Sequence, residues 1–447
     1  MNTHSTATST ATSQPAASAA RPLRKPLKSL DDALAELLAQ ATPLAATESI
    51  STFEADGRVL ARDVVSGLQV PPMDNSAMDG YAVRCADVPA AGQVLPVSQR
   101  IAAGAVGLPL VPGSVARIFT GAPVPEGADA VVMQEDCEAI DAAGSDTASF
   151  GAVRIQRLPV PGKSIRRAGE DVALGAAVLT QGTRLGPAEM GLAASVGMAA
   201  LQVAARPRVA LFSTGDELVM PGTVPPAEMK PGAIYNSNRF FLRALLQRLG
   251  CAVTDFGIVP DQRAATLQAL RDASLAHDLI LTSGGVSVGE EDHVKPAVQE
   301  LGELNLWQIA MKPGKPFAYG KIQSQVVKPG PEAAPCHFIG LPGNPVSSFI
   351  TFLLLVRPFL LKLQGVQRLG ASPVALPAHF DWPRADQRRE FLRVRRNAAG
   401  GVELFRNQGS GVLTSTVWGD GVVDVPPGHA IARGEMVQFI AFADLLA

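Results

Sequence analysis

Between residues 208 and 345, five short segments gather the residue types that handle anionic substrates: STGDEL (213–218), PDQ (260–262), SGGVSVGEEDH (283–293), KPGKP (312–316) and PGNP (342–345). Glycine and serine in SGGVSVG let backbone N–H groups approach a ligand. The helix start that follows adds positive dipole, so phosphate is the natural guest. The segment is neither a GxGxxG dinucleotide fingerprint nor a GxxxxGK[ST] phosphate loop, which weighs against NAD and ordinary nucleotide triphosphatase chemistry. Lys312 and Lys315 strengthen the case for an anion, and Asp216, Glu217, Asp261, Glu290, Glu291 and Asp292 supply acids in the same loops. Lysines for anions beside acids for a hard cation suit Mg²⁺ holding a phosphoanhydride. Plainer readings stay open: the glycine loop as a strand-to-helix turn, and Asp261 and Asp292 as helix caps. Trp307 and Phe317 read as core, and His293 and His337 as structural.

The elements that must position these loops alternate in type. RVALFST (208–214), CAVTDFGIV (251–259), DLILTS (278–283), NLWQIAM (305–311), FAYG (317–320) and CHFIGLP (336–342) read as strands. Helices are predicted over NRFFLRALLQRLG, ending at Gly250, from Asp261 through Ala276, from about Asp292 and from about Pro345. Strands separated by helices of this length predict a mostly parallel sheet with helices on both faces. In such a sheet ligands bind at the carboxyl ends of the strands, where all five segments fall. The opposite turns, QRLGCAV, LAHDL and ELGEL, carry no such chemistry.

The flanks read differently. Ser29 caps a helical pattern through Leu30, Ala33, Leu34, Leu37 and Leu38, and GPAEMGLAASVGMAAL (186–201) is helical in the same style. Between them, from about 64 to 160, short apolar runs cut by proline and glycine predict a small β-domain inserted into a helical unit. The last 80 residues alternate and break at glycine, as a small antiparallel barrel or sandwich would. The expected boundaries are a disordered tail over 1–26, a helical domain from 27–67 and 163–205, the inserted β-domain at 68–162, an α/β domain at 206–366 and a β-barrel at 367–447. The tail is acid-poor like a transit peptide, yet lacks an amphipathic stripe, which favours a disordered segment.

At 447 residues, with 47% apolar and 18% charged residues, the chain is globular and multidomain. A net charge of −2 gives no basic excess, so no nucleic-acid partner is expected. No apolar run approaches about 18 residues, so no membrane span is expected. Four scattered cysteines without a CxxC, and six histidines without HExxH, predict neither disulfides nor zinc, in keeping with a cytoplasmic location.

Longer motifs occur in order: PPMDNSAMDGYAV (71–83), RIFTGAPVPEGADAVVMQED (117–136), RRAGEDV (166–172), FSTGDEL (212–218), YNSN (235–238), SGGVSVGEEDH, KPGKPFAYG (312–320) and GLPGNPVSS (340–348). From about residue 27 to the end the chain resembles the molybdopterin molybdenumtransferase family, the MoeA proteins and the E domain of gephyrin. The central domain alone also resembles the adenylyltransferase that precedes this enzyme in the pathway. MDNSAMDGYAV and the C-terminal barrel select the transferase. The resemblance implies a multidomain α/β plus β protein: an N-terminal helical domain with an inserted β-domain, a central molybdopterin-binding α/β domain and a C-terminal small β-barrel. It implies transfer of molybdate to the dithiolene of adenylylated molybdopterin with release of AMP, dependence on Mg²⁺, a homodimer with its active cleft between subunits, and contact with the molybdopterin adenylyltransferase. Carried over by position, Asp79, Asp171, Glu217, Asp261 and Asp292 are the catalytic acids, with Glu217, Asp261 and Asp292 as metal ligands. Thr120, Ser283, Gly284, Gly285, Lys312, Pro313, Lys315, Arg393 and Ser410 are the substrate-binding positions. Gln308 departs from relatives with a basic residue after the tryptophan. The competing readings are a nucleotide-linked pyrophosphatase or adenylyltransferase on the same α/β domain, and a gephyrin-like scaffold without catalysis.

Overall fold

A computed structural model describes residues 1, 27–140, 150–285, 293–323 and 335–446. At its centre is a six-stranded sheet built from β1 (Arg208–Thr214), β2 (Ala252–Val259), β3 (Leu279–Ser283), β4 (Gly302–Gln308), β5 (Pro316–Ile322) and β6 (Cys336–Leu341). The strand order is β2-β1-β3-β6-β5-β4. β2, β1, β3 and β6 are mutually parallel, while β5 runs antiparallel to both β6 and β4. β4 therefore points the same way as the parallel set, so residues 309–315 emerge at the edge where β1, β2, β3 and β6 end. The described parts of the five chemistry-bearing segments thus share one edge of the sheet.

Both faces are covered, as the uninterrupted apolar runs of β1 and β3 require. Helices α1 (Arg263–Ala276) and α2 (Val294–Leu301) close one face over Phe212, Ile280 and Phe338. The other face carries the helix Asn238–Arg248 and a continuous helical stretch from Pro345 to Leu363, π-helical over Phe352–Val356. That stretch is long and apolar enough to cross a membrane, but 83% of its most apolar window is buried within the fold, as a core helix is.

The helix Leu30–Ala39 forms where its spacing predicts, with the Ser29 hydroxyl accepting from the Asp32 N–H. Its placement differs from expectation. Leu30, Ala33 and Leu37 join the central core with Leu360 and Leu363, and Pro187–Ser195 lies in a separate cluster with Leu60, Val64 and Val203. The apolar face of Leu30–Ala39 finds a larger apolar partner on the 345–363 helix than the short, weakly amphipathic Pro187–Ser195 could offer. The two N-terminal halves meet instead through strands, Thr47–Ser51 pairing antiparallel with Ala200–Ala204.

Two further six-stranded sheets lie outside the central one. One, over residues 80–155, orders its strands Ala130–Met133, Gly80–Val83, Val115–Ile118, Gln93–Ile101, Ala152–Ile155 and Cys137–Ile140, with buried side chains on both faces. The other, near the C-terminus, is antiparallel through Arg389–Arg396, Gly421–Val425, Met436–Ala441 and Val374–Pro377. Met311–Lys312 joins it by parallel pairing with Arg389–Glu390. The sequence reads Met311 as the end of the strand through Trp307. In the structure β4 stops at Gln308, and the next residues cross to the neighbouring sheet.

His337 on β6 is structural, as its sequence context suggests. Its Nδ1 is 3.0 Å from the Tyr319 hydroxyl and its ring meets Phe359 edge-on at 5.0 Å. Burial, aided by Lys321, pushes its pKa down to about 4. In the unfolded chain the ring charges below about 6.5, while the native ring stays neutral to about 4. The His337 contribution to stability should therefore fall by roughly 3 kcal/mol as pH drops through that window, and stay constant above it. Denaturant unfolding at pH 7 and pH 4.5 checks this: His337→Gln should lose markedly less on acidification than the parent.

Candidate functional site

The strand order places the topological switch between β1 and β3, where chain connections leave in opposite directions and a crevice opens. Gly284 (φ +94°) and Gly285 (φ +68°) follow β3 directly. A Cβ on Gly284 would lie 2.8 Å from the Thr214 carbonyl oxygen at the tip of β1, so only glycine allows this approach. The Asn238 side-chain amide donates to the Ser283 hydroxyl at 2.8 Å and to the Gly343 carbonyl at 2.7 Å. One buried amide thereby ties a helix start to the ends of β3 and β6. Beside the glycines, the buried Thr214 hydroxyl has no hydrogen-bond partner among the described residues.

At the neighbouring tips the acids collect. The Asp261 N–H donates to the Asp216 carboxylate at 3.4 Å, joining the loops after β1 and β2, and the Glu217 carboxylate folds back against Gly215. Asp292, with Glu290 and Glu291, lies outside the described residues. Among the described residues no three metal-ligating side chains form a cluster. Asp216, Glu217 and Asp261 are carboxylates, the ligand type Mg²⁺ takes one or two at a time beside water or substrate phosphate.

A cavity of about 310 Å³ opens where the central and C-terminal sheets meet. Lys312, Pro313, Lys315 and Ser410, four of the positions named from the sequence, line it together with Asn344, Ser347, Arg388 and Gln408. Because Met311–Lys312 pairs with Arg389–Glu390, Lys312 is set against the acids of the C-terminal sheet. Its ammonium donates to Glu390 at 2.7 Å and lies 3.6 Å from Asp386. Glu390 is 1% exposed and also accepts from the Trp382 indole N–H at 2.8 Å. Arg388 grips Asp386 through two N–H bonds, at 3.0 and 2.7 Å, which holds the Asp386 carboxyl far below the usual carboxylate range. Lys312, Lys315 and Arg388 thus outnumber Asp386 and Glu390, leaving the pocket net positive. The Val346 N–H, in the first turn of the 345–363 helix, donates to the Ser410 carbonyl at 2.9 Å and closes the wall.

Arg393 departs from its expected place. It is 1% exposed and sits behind the cavity, donating to the carbonyls of Phe391 and Gly409 and to the Ser415 hydroxyl, each at 3.2 Å. Burial pushes its pKa down to about 10. It props the Gly409–Ser410 turn, and the guanidinium on the cavity wall is that of Arg388. Ser347 and Asn344 sit inside the GLPGNPVSS motif and were within reach of sequence reasoning. Nothing in ADQRREF singles out Arg388.

Asp79 and Thr120 come together in the inserted sheet. The Asp79 carboxylate accepts from both the Thr120 N–H and the Thr120 hydroxyl, each at 2.8 Å. Those bonds, the backbone one foremost, hold its carboxyl below the ordinary value. Their stabilising effect is present at neutral pH and is lost as pH falls through the native pKa. Thr120→Val should move the Asp79 pKa part of the way back up, since the backbone donor remains, and a carbon-detected NMR titration reads the shift directly. Asp171 is exposed on the 167–172 turn, its N–H bonded to the Val70 carbonyl. Asp79, Thr120 and Asp171 do not line the Lys312 cavity of their own chain.

Comparison with known proteins accounts for this layout. Family models described as the MoeA N-terminal region (domain I and II), a probable molybdopterin binding domain and the MoeA C-terminal region (domain IV) match residues 28–197, 210–362 and 375–442 in turn. The molybdopterin molybdenumtransferase of Haemophilus influenzae is 40% identical over 345 residues, 77% of this chain and 80% of the relative. Molybdopterin molybdenumtransferase 2 of Mycobacterium tuberculosis is 38% identical over 421 residues, 91% of this chain and 96% of the relative. The crystal structure of the molybdopterin biosynthesis moeA protein from Pyrococcus horikoshii OT3 superposes with a TM-score of 0.78 at 28% identity, covering 93% of this chain and 100% of that one. With all three family regions in order and such relatives aligned along most of its length, this chain belongs to the MoeA family.

Proposed function

We propose that this protein is a molybdopterin molybdenumtransferase, which transfers molybdate to the dithiolene of adenylylated molybdopterin and releases AMP in molybdenum cofactor biosynthesis. The observation that carries this reading is the net-positive cavity at the seam of the two sheets. Lys312, Lys315 and Arg388 offer charge there, while Ser347, Ser410 and Asn344 offer neutral donors, a set suited to a tetrahedral oxodianion. The crevice at Gly284–Gly285 suits the phosphate-bearing tail of the pterin, with Ser283 and the Thr214 hydroxyl as polar partners.

Glu217 and Asp261 would hold Mg²⁺ together with Asp292, and the ion would supply charge neutralisation at the anhydride that breaks. Asp79, kept ionised by Thr120, is available to accept a proton or to orient water. Since Asp79, Thr120 and Asp171 stand apart from the cavity of their own chain, a homodimer with a shared cleft supplies them from the second subunit. We place the reaction in the cytoplasm, with the adenylyltransferase of the preceding step as a docking partner. The deciding experiment is molybdate-dependent release of AMP from adenylylated molybdopterin. AMP released equally without molybdate would instead favour a nucleotide-linked pyrophosphatase.

A further inference from the structure

At the edge of the α/β unit opposite the strand tips lies a second, larger cleft of about 1180 Å³. Its walls come from the 180–189 segment of the N-terminal unit, the C-terminal turn of the helix Asn238–Arg248, residues 357–368 and Asp444. Five arginines line it, Arg184, Arg206, Arg248, Arg357 and Arg368, against the carboxylates of Asp56, Glu189 and Asp444. Glu189 is committed to its own helix, accepting from the Gly186 N–H at 3.0 Å.

Five arginines thus face three carboxylates, of which Asp56 acts on Arg184. Arg357 is 7% exposed, bonds only the carbonyls of Leu369 and Asp444, and its buried Nε has no partner among the described residues. Arg184 donates to the Arg248 carbonyl at 2.8 Å and is close enough for its charge to act on Arg357, with Asp444 offsetting that only in part. Arg206, Arg248 and Arg368 are exposed at the mouth, and among the described residues they make no ion pair. Like charges gathered and partly desolvated are costly unless an anion joins them. Guanidinium forks match phosphate oxygens in particular.

We propose that this cleft is a second anion site, taking a small phosphate-bearing ligand between the N-terminal and α/β units. The ligand is held by Arg248 and Arg368 at the mouth and Arg357 within. The space exceeds the roughly 300–1,000 Å³ of ordinary ligand pockets, so a mononucleotide fits as readily as free pyrophosphate. The site is independent of the molybdate cavity, and the inference does not rest on the function proposed above.

Calorimetric titration of the full chain tests it, using inorganic pyrophosphate and AMP as separate probes in a Lys312→Ala/Lys315→Ala background that disables the strand-tip lysines. One probe should still bind, and adding Arg248→Gln and Arg368→Gln should weaken it at least tenfold without lowering the melting temperature. Arg368→Gln alone, at an exposed side chain, should also weaken it. Hydrogen exchange over 180–186 should slow when the probe is bound. Preference for AMP would identify a nucleotide, and preference for pyrophosphate a free oxyanion. Loss of binding of both probes with the lysine pair alone, or binding indifferent to the arginine substitutions, overturns the proposal.

Discussion

Lys312→Met is expected to cut molybdate-dependent AMP release by about 100- to 1,000-fold, the range found when one fixed donor to a developing anion is removed. Lys312 is the cavity's cation fixed from both sides: β4 leads to it from the central sheet, and Met311–Lys312 pairs with Arg389–Glu390 of the C-terminal sheet. The ammonium cannot drift with a loop, which is what an electrostatic contact needs to act without reorganisation. The substitution carries a structural side effect. Glu390, 1% exposed, would keep only the Trp382 indole as partner, and stability should drop by about 2 kcal/mol. The double variant Lys312→Met/Glu390→Gln separates the two effects, because a neutral amide has no buried charge to compensate. Its unfolding midpoint should recover towards that of the parent while turnover stays low. Recovery of turnover with stability would mean that Lys312 acts only as the counter-ion of Glu390, and the molybdate pocket would have to be sought elsewhere.

Much of the central sheet was legible because its determinants are local. β1 and β3 are short apolar runs ended by hydroxyl and glycine residues, and the helices between them carry their own stop signals, such as Gly250 at φ +78°. Direction in a parallel sheet then puts every strand-following loop on one edge without further information. What sequence could not supply was partnership across units. IAM after Trp307 continues an apolar strand pattern, and only the presence of Arg389–Glu390 beside it decides that Met311–Lys312 changes sheets. Leu30–Ala39 shows an apolar face but not its addressee. The arginines of RREFLRVRR pose the same problem: spacing alone cannot say that Arg393 is swallowed beneath Ser415 and Gly409 while Arg388 reaches the cavity. Long-range packing, rather than propensity, made those choices.

The glycines at the switch point carry the other large expected effect. Gly284→Ala should destabilise the protein by about 2–4 kcal/mol and abolish binding of the adenylylated pterin, from the sum of a strained backbone and a clash. At φ +94° an L side chain is disfavoured, and the new Cβ would sit 2.8 Å from the Thr214 carbonyl oxygen. That oxygen is a main-chain atom, on a residue paired with Val259 of β2 and one step past the last β1–β3 pair, Ser213–Ser283, so no side-chain rotation can move it aside. Gly285→Ala provides the internal control. Its Cβ would meet Val294 Cγ2 at 2.6 Å, the Thr214 hydroxyl at 3.0 Å and Val294 Cβ at 3.1 Å, all side-chain atoms rather than main chain. The penalty there should be smaller, with measurable pterin binding retained. The two variants are compared by denaturant unfolding and by titration with molybdopterin. Equal stability losses would indicate that β1 and β3 are not locked at that separation. Undiminished binding in Gly284→Ala would show that the pterin tail does not use the crevice, and the acids at the tips of β1 and β2 would then need another explanation.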